Sequence, residues 1–65
     1  MGIRELREAA GMSQIYLAGQ VGVHQSCVCD WERGKKKPTV DNLLKLADIF
    51  GVTTDEVLGR SRPGA

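Results

Sequence analysis

The stretch from Ser13 to Lys35 reads SQIYLAGQVGVHQSCVCDWERGK and decides the fold. Its first half predicts a helix that begins at Gln14 and ends before Gly22. Ser13 offers an N-cap hydroxyl in front of this helix, and glycine supplies the φ freedom for a turn behind it. The apolar side chains between them recur at helical spacing: Leu17, Ala18 and Val21.

The second half of the stretch predicts a helix from about Gln25 to Arg33, with Val28 and Trp31 facing inward and Gly34 as its stop. The link between the two helices, residues 22–24, is so short that the second helix must cross the first at a steep angle. Two helices joined in this way form a helix-turn-helix unit.

Three further helices are predicted outside this unit. One runs from Ile3 to Ala10, one follows Thr39 and closes at Gly51, and a short one follows Thr53, which forms a capping-box pattern with Glu56. No stretch alternates apolar and polar residues as a strand would. The predicted fold is therefore an all-α, compact five-helix bundle over residues 1–59, followed by a flexible polar tail over residues 60–65.

The composition is that of a single globular domain. The chain has 65 residues, of which 42% are hydrophobic and 26% charged, so it can enclose one small core and is not of disordered composition. No apolar run approaches the roughly 18 residues of a membrane span. The first ten residues carry charges at helical spacing rather than the apolar core of a secretory signal. We expect a cytoplasmic protein with no membrane partner.

The charge distribution is more informative than the net charge, which is only +1 from nine basic and eight acidic residues. Residues 9–29 carry no formally charged side chain, whereas residues 33–37 hold four of the nine cations. The sequence therefore predicts a local basic patch immediately after the second helix of the helix-turn-helix unit.

Residue types that carry catalysis or bind metals are scarce. Cys27 and Cys29 lie two positions apart on a predicted helix, which is poor geometry for a disulfide, and His24 is the only histidine. A zinc site needs more ligands than this segment offers. No phosphate loop and no paired-carboxylate pattern is present. We expect reduced thiols, no metal, no cofactor, no small-molecule ligand and no enzymatic activity.

The predicted arrangement is suited to double-stranded DNA. A short helix, a tight turn and a second helix that starts with small polar residues is how a helix is presented to the major groove. The first helix would span the DNA backbone, the second helix would enter the major groove, and cations and helix N-termini would contact the phosphates on either side of that groove.

The pattern S-Q-x-x-L-A-x-x-V-G-V-x-Q-x-x-V-x-x-W-E-R-G-K, from Ser13 to Lys35, resembles the helix-turn-helix family of phage repressors and Cro proteins, the lambda repressor-like fold. The stretch from Pro38 to Leu58 is similar to the fourth and fifth helices of that family. The resemblance implies a sequence-specific DNA-binding domain, most often a repressor, that acts as a homodimer on a two-fold operator.

The resemblance also implies roles for individual residues. The base-facing positions of the recognition helix correspond to Gln25, Ser26, Cys29 and Asp30. Contacts to the DNA backbone are expected from the start of the first helix, the basic patch and, more weakly, the fourth helix: Gln14, Arg33, Lys35, Lys36, Lys37 and Asn42. Arg7 and Glu32 are expected to form a structural ion pair. The dimer is expected to form through the fifth helix and the segment before it, where apolar side chains come near the chain end: Val52, Val57 and Leu58.

Two alternatives stay open on the sequence. The same fold can lose DNA binding and serve as an antitoxin or a protein-interaction adaptor. Ile15 and Tyr16 fall on the outer face of the first helix of the unit, where a charged residue is usual. They either cover the edge of the fifth helix or contact another protein.

Overall fold

A computed structural model describes residues 2–59, and the predicted flexible tail, residues 60–65, lies outside them. The described part contains five helices: α1 (Ile3–Ala9), α2 (Gln14–Val21), α3 (Gln25–Arg33), α4 (Val40–Phe50) and α5 (Thr54–Val57). Over residues 2–59 the only β-type pairing is an isolated antiparallel bridge between Gly2 and Leu58. The predicted all-α, five-helix architecture is confirmed.

Side chains cap four of the helices, α2 to α5, at their N-termini. The Ser13 hydroxyl accepts from the backbone N–H of Tyr16 at 3.0 Å, and the Thr39 hydroxyl accepts from Asn42 at 3.2 Å. Thr53 forms its capping box with Glu56. Each cap satisfies a backbone donor that the first helical turn leaves without a partner.

Glycines in the left-handed region end the helices that form the helix-turn-helix unit. Gly22 has φ +88° at the end of α2, and Gly34 has φ +76° at the end of α3. A side chain at either position would strain the backbone. Three residues, 22–24, separate α2 from α3. α1 ends one residue earlier than predicted because Ala10 is its C-cap and Gly11 turns the chain away.

All five helices contribute side chains to the core, with α2 packed on both α3 and α4, α1 packed on α3, and α5 packed on α4. The buried members of the core are Ile3, Leu6, Leu17, Ala18, Val21, Val28, Leu46, Ala47 and Val57. Trp31 packs against this cluster and is only partly buried. Val28 and Leu17 are fully enclosed, so the two helices of the unit share one packed centre.

One expectation about apolar surface is wrong, and one of the two alternatives for another pair of residues is excluded. Val57 is only 1% exposed and belongs to the core, because the four-residue α5 turns it inward, so it is not available to a partner copy. Ile15 and Tyr16 are exposed large hydrophobic side chains, so neither is covered by packing on α5. The exposed apolar pair of α4 is Val40 and Leu44.

None of the helices formed by residues 2–59 is long and apolar enough to cross a membrane. Cys27 and Cys29 are both free and partly buried. No cluster of three or more histidine, cysteine or acidic side chains that could hold a metal ion occurs among the described residues.

Candidate nucleic-acid interface

The N-termini of α2 and α3 come together at one edge of the molecule. Gln14 is the first residue of α2 and Gln25 the first of α3. The Nε2 of Gln25 donates to the Oε1 of Gln14 at 3.1 Å. Two glutamines that lie 11 positions apart in the chain are therefore in direct contact across the turn.

His24 caps α3 with its imidazole ring. Nδ1 of His24 accepts from the backbone N–H of Ser26 at 3.1 Å and lies 3.0 Å from the Ser26 hydroxyl. The backbone donor leaves Nδ1 as an acceptor, so the proton of the neutral ring is on Nε2. Ser26 is exposed beside Gln25 and is held by this cap.

Cys29 and Asp30 continue α3 and are partly buried. The carboxylate oxygen Oδ2 of Asp30 lies 4.0 Å from the Nζ of Lys36. The negative charge that the sequence places on this helix is therefore close to a cation of the basic patch. This neighbour partly offsets the repulsion that Asp30 would exert on a phosphate.

The basic patch forms an exposed loop directly behind α3. Arg33 ends the helix, and the three lysines of the loop are exposed. Backbone N–H groups of Lys35 and Lys36 donate to the carbonyl of Asp30 at 2.9 and 3.4 Å, which folds the loop back on the helix end. Asn42 lies in the first turn of α4, beyond this loop, and is partly buried.

Arg7 of α1 and Glu32 of α3 form an ion pair with two hydrogen bonds. The Nε of Arg7 donates to Oε2 of Glu32 at 2.6 Å, and Nη2 donates to Oε1 at 3.2 Å. The side chains are 12% and 4% exposed. Nη1 of Arg7 also donates to the backbone carbonyl of Met12 at 2.7 Å. The pair thus joins α1, the α1–α2 turn and α3.

The environment of Glu32 keeps its carboxyl ionised. Burial alone would raise its pKa, but hydrogen bonds from Arg7 and Gln14 and the charges of Arg7 and Arg4 outweigh burial and lower the pKa below its usual value. The hydrogen bond from Arg7 to Glu32 raises the pKa of the Arg7 guanidinium, and burial opposes it. Both groups are charged at neutral pH.

A third partner connects this ion pair to the candidate interface. The Nε2 of Gln14 donates to Oε1 of Glu32 at 3.0 Å. The hydrogen bonds therefore run without interruption from Arg7 through Glu32 and Gln14 to Gln25. The Arg7–Glu32 pair is the one implied by the family resemblance, whereas the two hydrogen bonds of Gln14 have no signature in the sequence because they depend on the angle at which α3 crosses α2.

Comparison with known proteins places this geometry in a family. The model of the Helix-turn-helix family matches residues 3–57. The chain is 37% identical over 60 residues to the HTH-type transcriptional regulator AnsR of Bacillus subtilis. It is 33% identical over 54 residues to the cryptic phage CTXphi transcriptional repressor RstR of Vibrio cholerae. These alignments cover 92% and 83% of this chain, but 52% and 48% of the two regulators. The chain thus spans about half the length of these curated relatives.

Solved structures agree with the sequence relatives. The P22 c2 repressor, solved with a synthetic operator, superposes with a TM-score of 0.84 at 30% identity, over 91% of this chain and 89% of that one. The restriction-modification controller protein C.AhdI of Aeromonas hydrophila gives a TM-score of 0.75 at 41% identity, over 83% of this chain and 82% of that one. AnsR is a transcriptional regulator and RstR is a transcriptional repressor. The chain belongs to the helix-turn-helix family of DNA-binding transcriptional regulators.

Proposed function

We propose that the chain binds a specific double-stranded DNA sequence as a homodimer and acts as a transcriptional repressor in the cytoplasm. The contact between Gln14 and Gln25 carries this proposal, because it gathers the first residues of α2 and α3 at one edge of the fold. Helix N-termini and amide side chains at that edge suit phosphates and base edges. Two of the proteins that it resembles, RstR and the P22 c2 repressor, are repressors, which supports a repressor role here.

Each side chain of the interface has a proposed role. Bases are read by the exposed or partly exposed positions of α3: Gln25, Ser26, Cys29 and Asp30. The DNA backbone is held by the start of α2, the loop behind α3 and the start of α4: Gln14, Arg33, Lys35, Lys36, Lys37 and Asn42. Phosphate contacts fix the register, and base contacts supply the specificity.

Selection from a random pool of DNA duplexes tests the proposal as a whole. We expect enrichment of a two-fold symmetric motif whose half-sites are centred about one helical turn, roughly 34 Å, apart or a multiple of it. A pool from which the chain enriches nothing would contradict the proposal and favour the antitoxin or adaptor alternative.

Gln25→Ala is expected to relax base preference at one symmetric pair of operator positions. A glutamine amide can donate to N7 and accept from the N6 amino group of adenine, and such a contact is worth about 1–3 kcal/mol of discrimination. Competition binding with operators mutated at single positions measures this loss. Binding to nonspecific DNA and the melting temperature should stay nearly unchanged. Equal weakening on all sequences would make Gln25 a backbone contact instead.

For the dimer we propose a surface on α4, because Val57 of the expected α5 surface is buried and Leu58, at 38% exposed, offers less apolar area than Val40 or Leu44. Val40 and Leu44 are 72% and 53% exposed, and they lie one turn apart on the same face of the helix. In a two-fold interface, when residue i of one copy contacts residue j of the other, residue j of the first copy also contacts residue i of the second. Val40 of one copy packed on the partner's Leu44 satisfies this symmetry and covers both apolar side chains.

Leu44→Glu is expected to convert the protein to a monomer, because each copy then buries a carboxylate against the apolar Val40 side chain of the other copy. Sedimentation over a range of protein concentrations measures the effect. Ile15→Glu is the matched control, since Ile15 is a comparably exposed apolar residue on α2, outside the proposed contact. Equal dimerisation of Leu44→Glu and the unmodified chain would exclude the α4 surface. One bound copy per operator would exclude the dimer itself.

A further inference from the structure

Glu32 fixes which end of the Gln14 amide faces which neighbour. An ionised carboxylate only accepts hydrogen bonds. Glu32 already accepts two from Arg7, and it accepts a third from Gln14 at 3.0 Å. The amide of Gln14 must therefore present its nitrogen to Glu32, which directs its carbonyl oxygen elsewhere.

That oxygen in turn fixes the orientation of Gln25. The carbonyl of Gln14 accepts from the Nε2 of Gln25 at 3.1 Å. Gln25 is thus held by its nitrogen, and it keeps one N–H and its carbonyl oxygen for another partner. Adenine presents N7 as an acceptor and its N6 amino group as a donor in the major groove, whereas guanine presents two acceptors, N7 and O6. One free donor beside one free acceptor matches adenine.

We propose that Glu32 is a specificity-determining positioning residue, which sets the donor and acceptor order of Gln25 through Gln14 and so selects adenine over guanine. The proposal rests on the proposed function, in which Gln25 reads a base. Glu32 itself does not contact DNA, because its side chain is 4% exposed and lies between Arg7 and Gln14. Its role in specificity is distinct from its contribution to stability.

Glu32→Gln inverts the order of the hydrogen bonds. The guanidinium of Arg7 only donates, so the amide introduced at position 32 turns its oxygen towards Arg7 and its nitrogen towards Gln14. Gln14 then presents its oxygen to position 32 and its nitrogen to Gln25. Gln25 is now held by its oxygen and presents two N–H donors, which match the two acceptors of guanine.

The test is the ratio of affinities for operators that carry A·T or G·C at the position identified by Gln25→Ala. We expect adenine to be preferred by the unmodified chain, and we expect Glu32→Gln to reduce that preference by about fivefold or more. The ratio is independent of how much of the variant is folded, because both operators compete for the same active fraction. Circular dichroism at the assay temperature verifies that a folded population exists.

A double variant separates positioning from stability. Adding Gln14→Glu to Glu32→Gln puts an acceptor-only carboxylate at position 14, to which both position 32 and Gln25 must donate. Gln25 is again held by its nitrogen, so the preference for adenine should return. Affinity for every DNA sequence should fall, because the carboxylate is now at position 14, closer to the DNA phosphates than at position 32.

Three results would overturn the proposal. They are a preferred base other than adenine at the position that Gln25 reads, an unchanged ratio in Glu32→Gln, and a ratio that the double variant does not restore. Each of them leaves sequence-specific binding by the unmodified chain intact. Failure of the proposed function is a different outcome, in which the unmodified chain selects no DNA sequence.

Discussion

Glu32→Ala is expected to lower the free energy of unfolding by about 3 kcal/mol or more. The substitution leaves the Arg7 guanidinium, 12% exposed, without the carboxylate that accepts two of its hydrogen bonds. It also removes the acceptor of the Gln14 amide. At roughly 0.05–0.15 kcal/mol per residue, a domain of this size has a total stability of only about 3–10 kcal/mol. The variant should therefore melt about 12 °C or more below the unmodified chain.

Glu8→Ala is the matched control, because it makes the same chemical change in another arginine–glutamate pair. Arg4 and Glu8 are separated by one turn of α1, and the Nε of Arg4 lies 3.5 Å from the Oε2 of Glu8. Their side chains are 65% and 56% exposed. An exposed pair of this kind contributes about 0.3–0.5 kcal/mol. Thermal and urea melts of both variants give the comparison. If the two variants lowered the melting temperature by the same small amount, the ion pair between Arg7 and Glu32 would contribute no more stability than an exposed surface pair.

The cost of Glu32→Ala should also depend on pH. The pKa of Glu32 is lower in the folded protein than the ordinary carboxyl value of 4.5. A lowered pKa adds stability above the unfolded-state pKa, and this stability is lost as the pH falls through the folded-state pKa. The difference in unfolding free energy between the two proteins should therefore be full at pH 7 and shrink below about pH 4.5. A difference that stayed constant through this window would show that the carboxylate charge is not its source.

The sequence predicts the helices well where local chemistry sets both ends. α2, α3 and α4 each begin after a capping residue and end at a glycine with positive φ. Their apolar side chains also repeat over two or more turns, so the buried face is defined. α5 has four residues, which is about one turn, and one turn carries too little periodicity to show which face is buried. For this reason the sequence places Val57 at the surface, whereas in the structure it belongs to the core.

Only part of the candidate site can be predicted from the sequence. The positions of Gln14 and Gln25 at helix starts follow from the caps and the turn. The contact between them depends on the angle at which α3 crosses α2, and the link to Glu32 depends on the packing of α1 as well. Crossing angles are set by how side chains interlock over the whole core, which a local pattern does not encode. The residue identities and, through the family resemblance, the Arg7–Glu32 pair are therefore predictable here, whereas the hydrogen bonds of Gln14 to Glu32 and Gln25 are not.

Replacing Lys35, Lys36 and Lys37 together by alanine is expected to weaken binding to every DNA sequence. All three side chains are exposed on the loop behind α3, where Lys36 is also 4.0 Å from Asp30. A cation that neutralises a phosphate releases a condensed counterion, which contributes about 0.9 to the slope of log K against log salt concentration. Three such contacts amount to a slope of about 2.7, or on the order of several hundredfold in affinity at 0.1 M salt. The triple variant should therefore show a shallower salt dependence and a lower affinity for DNA, each by about this amount.

A charge-conserving control separates this electrostatic effect from the shape of the loop. Replacement of the same three lysines by arginine keeps three cations on the loop, so the salt slope should remain close to that of the unmodified chain. Titrations of each protein at several salt concentrations, with the selected operator and with an unrelated duplex, give the slopes. Base preference should be the same in all three proteins, because phosphate contacts do not discriminate between sequences. An alanine variant with an unchanged slope would remove this loop from the DNA interface, whereas one with an altered base preference would place a lysine in a groove.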